Sequence, residues 1–269
     1  MSPPSSPRSP KARSGRRRSA RPSSPSATDV AAENGTVPGS RCRGGLSRFP
    51  PAQATIRAVA EALEAEYGRP TQPPPGDPLA GLIATILSQN TTAANSRAAY
   101  ASLRGRFPAW ADCARARPEA VARAIRGGGL GNIKAPRIRA ILRRVREREG
   151  DFSLDSLHRL PDAEAAAYLC AFDGVGPKTA ACVLLFHCGR RVFPVDTHVF
   201  RVLGRLGWRP PGATPESAHA FLQPLIPPDL AYSLHVNLVA HGRQVCHARR
   251  PDCGGCCLRR RCPSADRIP

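Results

Sequence analysis

From Gln53 onward, apolar residues recur along the chain at helical spacing. Ile56, Val59, Ala60, Leu63 and Tyr67 would form one stripe, and Gly68 follows as a stop. Asp77-Pro78 reads as an N-cap with proline at the first helical position, and Leu79, Leu82, Ile83, Ile86 and Leu87 continue a second helix behind it. Further helical stretches are predicted over 118–125, closed by three glycines, and over 134–145, 162–171, 178–188, 197–206 and 228–240. No alternating run of β-branched residues is joined by a hairpin dipeptide. The pattern predicts an all-α protein with short connections.

The first 48 residues are of a different kind. Ser, Pro, Arg and Gly dominate, with ten lysines or arginines against two acids and almost no aliphatic side chains. Such a stretch cannot bury enough surface to offset the entropy of ordering, so a disordered basic arm is expected. It lacks the amphipathic stripe of a transit peptide and the apolar segment of a secretory signal. The rest of the chain is basic in its own right: 40 Lys and Arg face 20 Asp and Glu over the whole sequence, a formal charge of +20. That balance points to a polyanionic partner held through phosphate contacts and counterion release. No run approaches the roughly 18 to 20 apolar residues of a membrane span, so a soluble protein without a membrane partner is expected.

Between Phe172 and Arg201 three chemical elements follow one another. Gly174-Val175-Gly176-Pro177-Lys178 is a glycine turn leading into a helix, and Val195-Asp196-Thr197-His198 comes eighteen positions after the lysine. Glycines there permit a tight turn, and the unpaired N–H groups of the helix start would hold a phosphate oxygen. Taken alone, the glycines fit an ordinary helix–helix turn better than a phosphate site. Lys178 is either a solvated helix lysine or a nucleophile, whose neutral form desolvation and the positive end of its own helix would favour. Asp196 suits the N-cap of a helix starting at Thr197, which would also hold its carboxylate rigidly beside a developing positive charge.

Of the ten cysteines, Cys246, Cys253, Cys256 and Cys262 form C-x6-C-x2-C-x5-C near the C-terminus. Four thiolates at this spacing suit zinc or an iron–sulfur cluster about equally, because only one short pair is present. Cys257 is a spare beside them. The remaining cysteines are scattered or lie in apolar runs, as reduced thiols do, and point to a reducing, cytoplasmic setting, nucleoid-associated in a bacterium.

The hairpin with its lysine, the V-D-T-H segment, His241-Gly242-Arg243 and the four-cysteine spacing, taken in order, resemble endonuclease III, a DNA glycosylase of the helix-hairpin-helix superfamily. The likeness covers roughly residues 52 to 262. It implies a 4Fe-4S cluster held by the four cysteines and two helical domains flanking a DNA-binding cleft. One would be a six-helix barrel over 76–190 that contains the hairpin; the other would combine 49–75 with 191–269 and carry the cluster. It also implies a monomer acting on double-stranded DNA that contains damaged bases or abasic sites. Lys178 would attack C1′ of the damaged nucleotide, expel the base and form a Schiff base that undergoes β-elimination, with Asp196 assisting. Leu130 matches an apolar wedge, and Gln89-Asn90 matches the segment whose amide fills the space left by the flipped base. Gly174, Val175 and Gly176 would meet the DNA backbone, as would Arg249 and Arg250 in the loop between the first two cysteines.

This sequence departs from the family pattern at Asp173, Pro177, Gly131 and Ala93. The first two leave the chemistry intact, since proline at a helix start gives up only an N–H without a helical partner. The last two fall near the expected base pocket and bear on substrate preference. Oxidised pyrimidines are the leading substrate. A same-fold glycosylase for mismatched bases or uracil, and a non-catalytic DNA-binding or redox-sensing protein, are the alternatives. Retention of both Lys178 and Asp196 argues against the last.

Overall fold

A computed structural model describes residues 49–267, and the basic arm expected over 1–48 lies outside them. Among the described residues there are eleven α-helices and no strand. They are α1 (Gln53–Tyr67), α2 (Pro78–Ser88), α3 (Ala93–Arg106), α4 (Trp110–Arg115), α5 (Pro118–Ala124), α6 (Gly131–Glu149), α7 (Asp162–Cys170), α8 (Pro177–His187), α9 (Thr197–Arg205), α10 (Pro215–Leu222) and α11 (Ala231–Gln244). The all-α reading holds.

Local chemistry explains most helix ends. Asp77 Oδ1 accepts from the N–H groups of Leu79 and Ala80 at 2.8 and 3.0 Å, with Pro78 at the first position, as the sequence predicts. Gly68 closes α1 at φ 79°, its N–H donating to Glu64 O. Three helices escape the apolar pattern. α3 buries only Ala99 and Leu103 and is otherwise mostly Ala, Arg and Ser, so it has almost no stripe to read. α4 is a short turn of helix around Trp110 and Cys113. α10 does carry a signal, because Thr214 and Ser217 form a capping box ahead of Ala218 and Leu222.

The buried side chains fall into two clusters. One draws on α2 through α8, with Leu82, Ile83, Ile86, Leu142, Val183 and Leu184 among its members. The other joins α1 to α9, α10 and α11 through Ile56, Leu63, Val202, Leu203, Trp208 and Leu234. They meet where Phe186 of α8 sets its ring edge-on against Tyr232 and His235 of α11, with centroids 5.7 and 5.6 Å apart. α2 and α8 pack closely because Gly81 faces His187; a Cβ at Gly81 would lie 2.2 Å from that ring.

Candidate functional site

α7 and α8 are joined by the predicted glycine turn. Gly174 takes φ 73°, and Val175 is buried with its N–H donating to Phe172 O at 3.1 Å. Gly176 is the N-cap of α8 and Pro177 its first residue. The first helical bond of α8 runs from Ala180 N–H to Gly176 O at 3.0 Å, so the N–H groups of Lys178 and Thr179 precede the helical ladder. The exposed side of the turn is a shallow hollow bounded by Arg144, Asp173, Gly174 and Gly176. Arg144 donates to Ala171 O at 2.9 Å, which brings a cation beside this row of amides.

Lys178, the second residue of α8, opens onto a cleft of about 590 Å³. Asp196 lines the same cleft from the start of α9, where its Oδ1 accepts from Val199 N–H at 2.8 Å. Its capping role and its place in the cleft coexist. Gln89, Asn90, Ala93, His198 and Arg243 are among the other residues that line it. Arg243 is contributed by the His-Gly-Arg segment, where Gly242 is required: a Cβ there would fall 2.8 Å from His198 Cβ.

Two buried groups outside the cleft lining interact with Lys178 and Asp196. Cys182, one helical turn beyond Lys178, is buried, and burial raises the thiol pKa while the Lys178 charge opposes. His235 Nδ1 lies 2.9 Å from Pro194 O, a contact that requires the ring to donate from Nδ1. Burial lowers the pKa of this imidazole, against the charge of Asp196.

The adjacent amides behave differently. Gln89 Nε2 donates to Gly174 O and to Thr179 Oγ1, both at 3.3 Å, and its Oε1 accepts from Arg137 at 3.5 Å. Asn90 is exposed and left-handed, with φ 54°. Leu130 is likewise left-handed, φ 52°, and 47 % exposed. It borders a separate cleft of about 710 Å³ with Ile133, Arg123 and Arg126. Arg249 and Arg250 stand on the exposed loop between Cys246 and Cys253 and line neither cleft.

The four spaced cysteines line one cavity against Val202, Leu206 and Leu258, and Cys257 is outside that lining. No three His, Cys, Asp or Glu side chains among the described residues converge on a point as ligands of a single ion. Burial pushes the Cys256 thiol up to about 11, and the charges of Cys257, Cys246 and Cys262 act in the same direction. α9 organises this loop. Arg205 donates to Cys246 Sγ at 3.0 Å, to His247 O at 2.7 Å and to Ala248 O at 3.1 Å, while Arg201 donates to Cys246 O at 2.9 Å. One helix therefore carries Asp196 at its start and grips the cysteine loop along its length.

The profile of the "HhH-GPD superfamily base excision DNA repair protein" matches residues 83–228, a span that holds the hairpin, Lys178 and Asp196. The chain belongs to the HhH-GPD superfamily. It is 42 % identical over 165 residues to a protein of Arabidopsis thaliana named as a DNA glycosylase, a match covering 61 % of this chain and 56 % of the plant protein. Endonuclease III of Thermotoga maritima is 35 % identical over 186 residues, covering 69 % of this chain and 83 % of that enzyme. The fold matches a solved non-covalent endonuclease III–DNA complex with a TM-score of 0.69 at 24 % identity, over 80 % of this chain and 97 % of that one. This HhH-GPD chain is thus endonuclease III-like in sequence and in fold. No helix among its described residues is long and apolar enough to cross a membrane.

Proposed function

We propose that this chain is a bifunctional DNA glycosylase and AP lyase that removes oxidised pyrimidines from duplex DNA. The observation that carries the reading is the shared cleft of Lys178 and Asp196, with Asn90 at its rim. A base inside a duplex hides its glycosidic bond, so the nucleotide must leave the stack before an amine can reach C1′. The turn Gly174-Val175-Gly176 offers the backbone amides of its two glycines to a phosphate, the Val175 N–H being held by Phe172 O, and Arg249 and Arg250 add cations on the cysteine loop. Leu130 wedges into the duplex, and Asn90 fills the vacated space. Gln89 supports Asn90 from within, since its own amide is engaged by the hairpin.

The Lys178 amine forms a bond to C1′ while the glycosidic bond breaks and the base departs with that electron pair, collecting a proton. Opening of the C1′–O4′ bond leaves a protonated Schiff base on Lys178, with the released O4′ taking a proton. Loss of a C2′ proton then expels the 3′ phosphate, and water releases the lysine. Asp196 accepts a proton from the Lys178 ammonium and offsets the positive charge that develops at C1′. Its cap bond to Val199 N–H holds the carboxylate still for both tasks.

Cys246, Cys253, Cys256 and Cys262 fit a sulfur-ligated centre: all four border one largely apolar cavity, and Arg205 donates to one of the sulfurs. They would hold a 4Fe-4S cluster, which when bound cross-links the loop that presents Arg249 and Arg250.

Borohydride trapping on duplexes bearing thymine glycol, 5-hydroxycytosine, uracil, 8-oxoguanine, a G:T mismatch or an abasic site tests this reading. A covalent adduct on the oxidised pyrimidines that disappears in Lys178→Ala supports it. An adduct confined to uracil or the mismatch would change the substrate, and no adduct on any duplex would remove the lyase.

A further inference from the structure

Lys134 is the fourth residue of α6, and its side chain is 2 % exposed, among the largest fully buried side chains in the protein. No carboxylate among the described residues is within ion-pair distance of it. Burial lowers the pKa of this amine. A charged group so placed persists only when hydrogen bonds compensate it. Nζ donates to Leu87 O at 2.8 Å and to Gly128 O at 3.0 Å.

Those two carbonyls come from remote parts of the chain but from equivalent positions. Leu87 is in the last turn of α2, and Gly128 ends the 3₁₀ turn Arg126–Gly128. Carbonyls at helix ends lack helical partners and lie at the negative end of the dipole, which suits a cation. Each also leads directly into an exposed, left-handed, non-glycine residue: Asn90 three positions after Leu87, and Leu130 two after Gly128. Asparagine tolerates left-handed backbone, but for a leucine it is costly and survives where the surroundings enforce it. α6 supports the second of them directly, because Ile133 and Lys134 donate their N–H groups to Leu130 O at 3.0 and 2.9 Å.

We propose that Lys134 is a positioning residue whose buried ammonium ties the end of α2 to the turn before α6, setting Asn90 and Leu130 at one fixed separation for entry into the duplex. The inference rests on the reading that these two residues probe the base pair. Opening a stacked pair requires both to engage together, and small misplacements in such constellations are expensive. An abasic site has already lost the stacked base, so its cleavage depends less on that separation.

Lys134→Met keeps the apolar stem and removes the charge and donors. On a thymine glycol duplex its single-turnover base excision should fall at least tenfold, while cleavage of a preformed abasic duplex stays within about threefold of wild type. The fluorescence rise of 2-aminopurine placed beside the lesion should fall in parallel. Thermal melts fix the folded fraction, and Lys134→Gln, which retains a donor, should fall between the two proteins. Adding Lys134→Met to the Asn90→Ala Leu130→Ala double variant should lower excision by less than threefold further, because residues acting as one unit are not additive. Equal losses on both substrates, or a full additional tenfold loss in the double variant, would overturn the clamp while leaving the probes in place. A double variant that excises like wild type would instead overturn the probe reading itself.

Discussion

The Gln89 side chain donates to the Gly174 carbonyl across 3.3 Å, although the residues are 85 positions apart. The bond hitches the segment after α2 to the glycine turn, with Arg137 bridging both through Gln89 Oε1 and, at 3.8 Å, Asp173. The neighbouring amides therefore differ, Gln89 being engaged within the fold and Asn90 exposed. Gln89→Ala should cost about 1 kcal/mol of stability through its lost internal hydrogen bonds. Asn90→Ala should leave stability unchanged and lower single-turnover excision about tenfold, the kind of loss expected for an interaction made only in the extruded state. Melting curves and excision kinetics on the two variants check the division of labour, and the reverse pattern would make Gln89 the inserting residue.

Gly174 is held to its residue type by its backbone, and a side chain there would also displace the Arg137 guanidinium. Its φ of 73° is unfavourable for any residue with a Cβ, and a Cβ there would lie 2.1 Å from the Arg137 guanidinium. Gly174→Ala should destabilise the fold by about 1–2 kcal/mol from the backbone alone. DNA binding should weaken as well, with a shallower dependence on salt if a phosphate contact is lost. A wild-type salt slope measured by fluorescence anisotropy would mean that no phosphate sits on this turn.

Arg205 donates to the sulfur and to two carbonyls of the cysteine loop, so it should govern how firmly the loop keeps its centre. The wild-type protein should purify brown. In Arg205→Leu the visible absorbance should bleach several-fold faster under chelator, reflecting the 10- to 100-fold range over which outer-shell partners tune metal sites. A colourless, zinc-loaded wild-type protein would replace the cluster by zinc.

Stability should depend on mildly acidic pH. Burial holds the His235 and His187 imidazoles below their ordinary value near 6.5, against the charges of Asp196 and Asp77 respectively. The unfolded chain therefore binds protons that the folded chain refuses. The stability these groups contribute is complete above about pH 6.5 and is lost as pH falls through their folded-state values. His235→Phe would keep the edge contacts with Phe186 and Phe193 and lose the bond to Pro194 O. Its melting temperature should be lower at pH 7 but should decline less steeply between pH 6.5 and 5. An unaltered slope in melts across that range would assign the effect to other groups.

The local geometry of the candidate site is set within short stretches of the chain, and so it was legible. A positive φ calls for glycine at 174, a helix start calls for Asp196 as cap, and both requirements act within a few residues of the side chains concerned. The apolar stripes of α1, α2 and α6 are equally local, while α3 is poor in them and was invisible. What the linear pattern could not contain is the set of long-range partners. Nothing near Gln89 or Asn90 says which amide is engaged, because the deciding carbonyl belongs to Gly174. Nothing beside Lys134 marks it as buried, because its acceptors are Leu87, 47 positions away, and Gly128. His235 comes beside Asp196 only through the packing of α11, whereas Cys182 follows Lys178 by one turn of the same helix. The sequence by itself determined the helical class, the hairpin, the lysine–aspartate pair and the spaced thiols, since torsional preference and apolar period act along the chain. Which polar groups remain free to meet a ligand was decided by the tertiary structure, because each buried donor must find an acceptor and the acceptors arrive from distant segments.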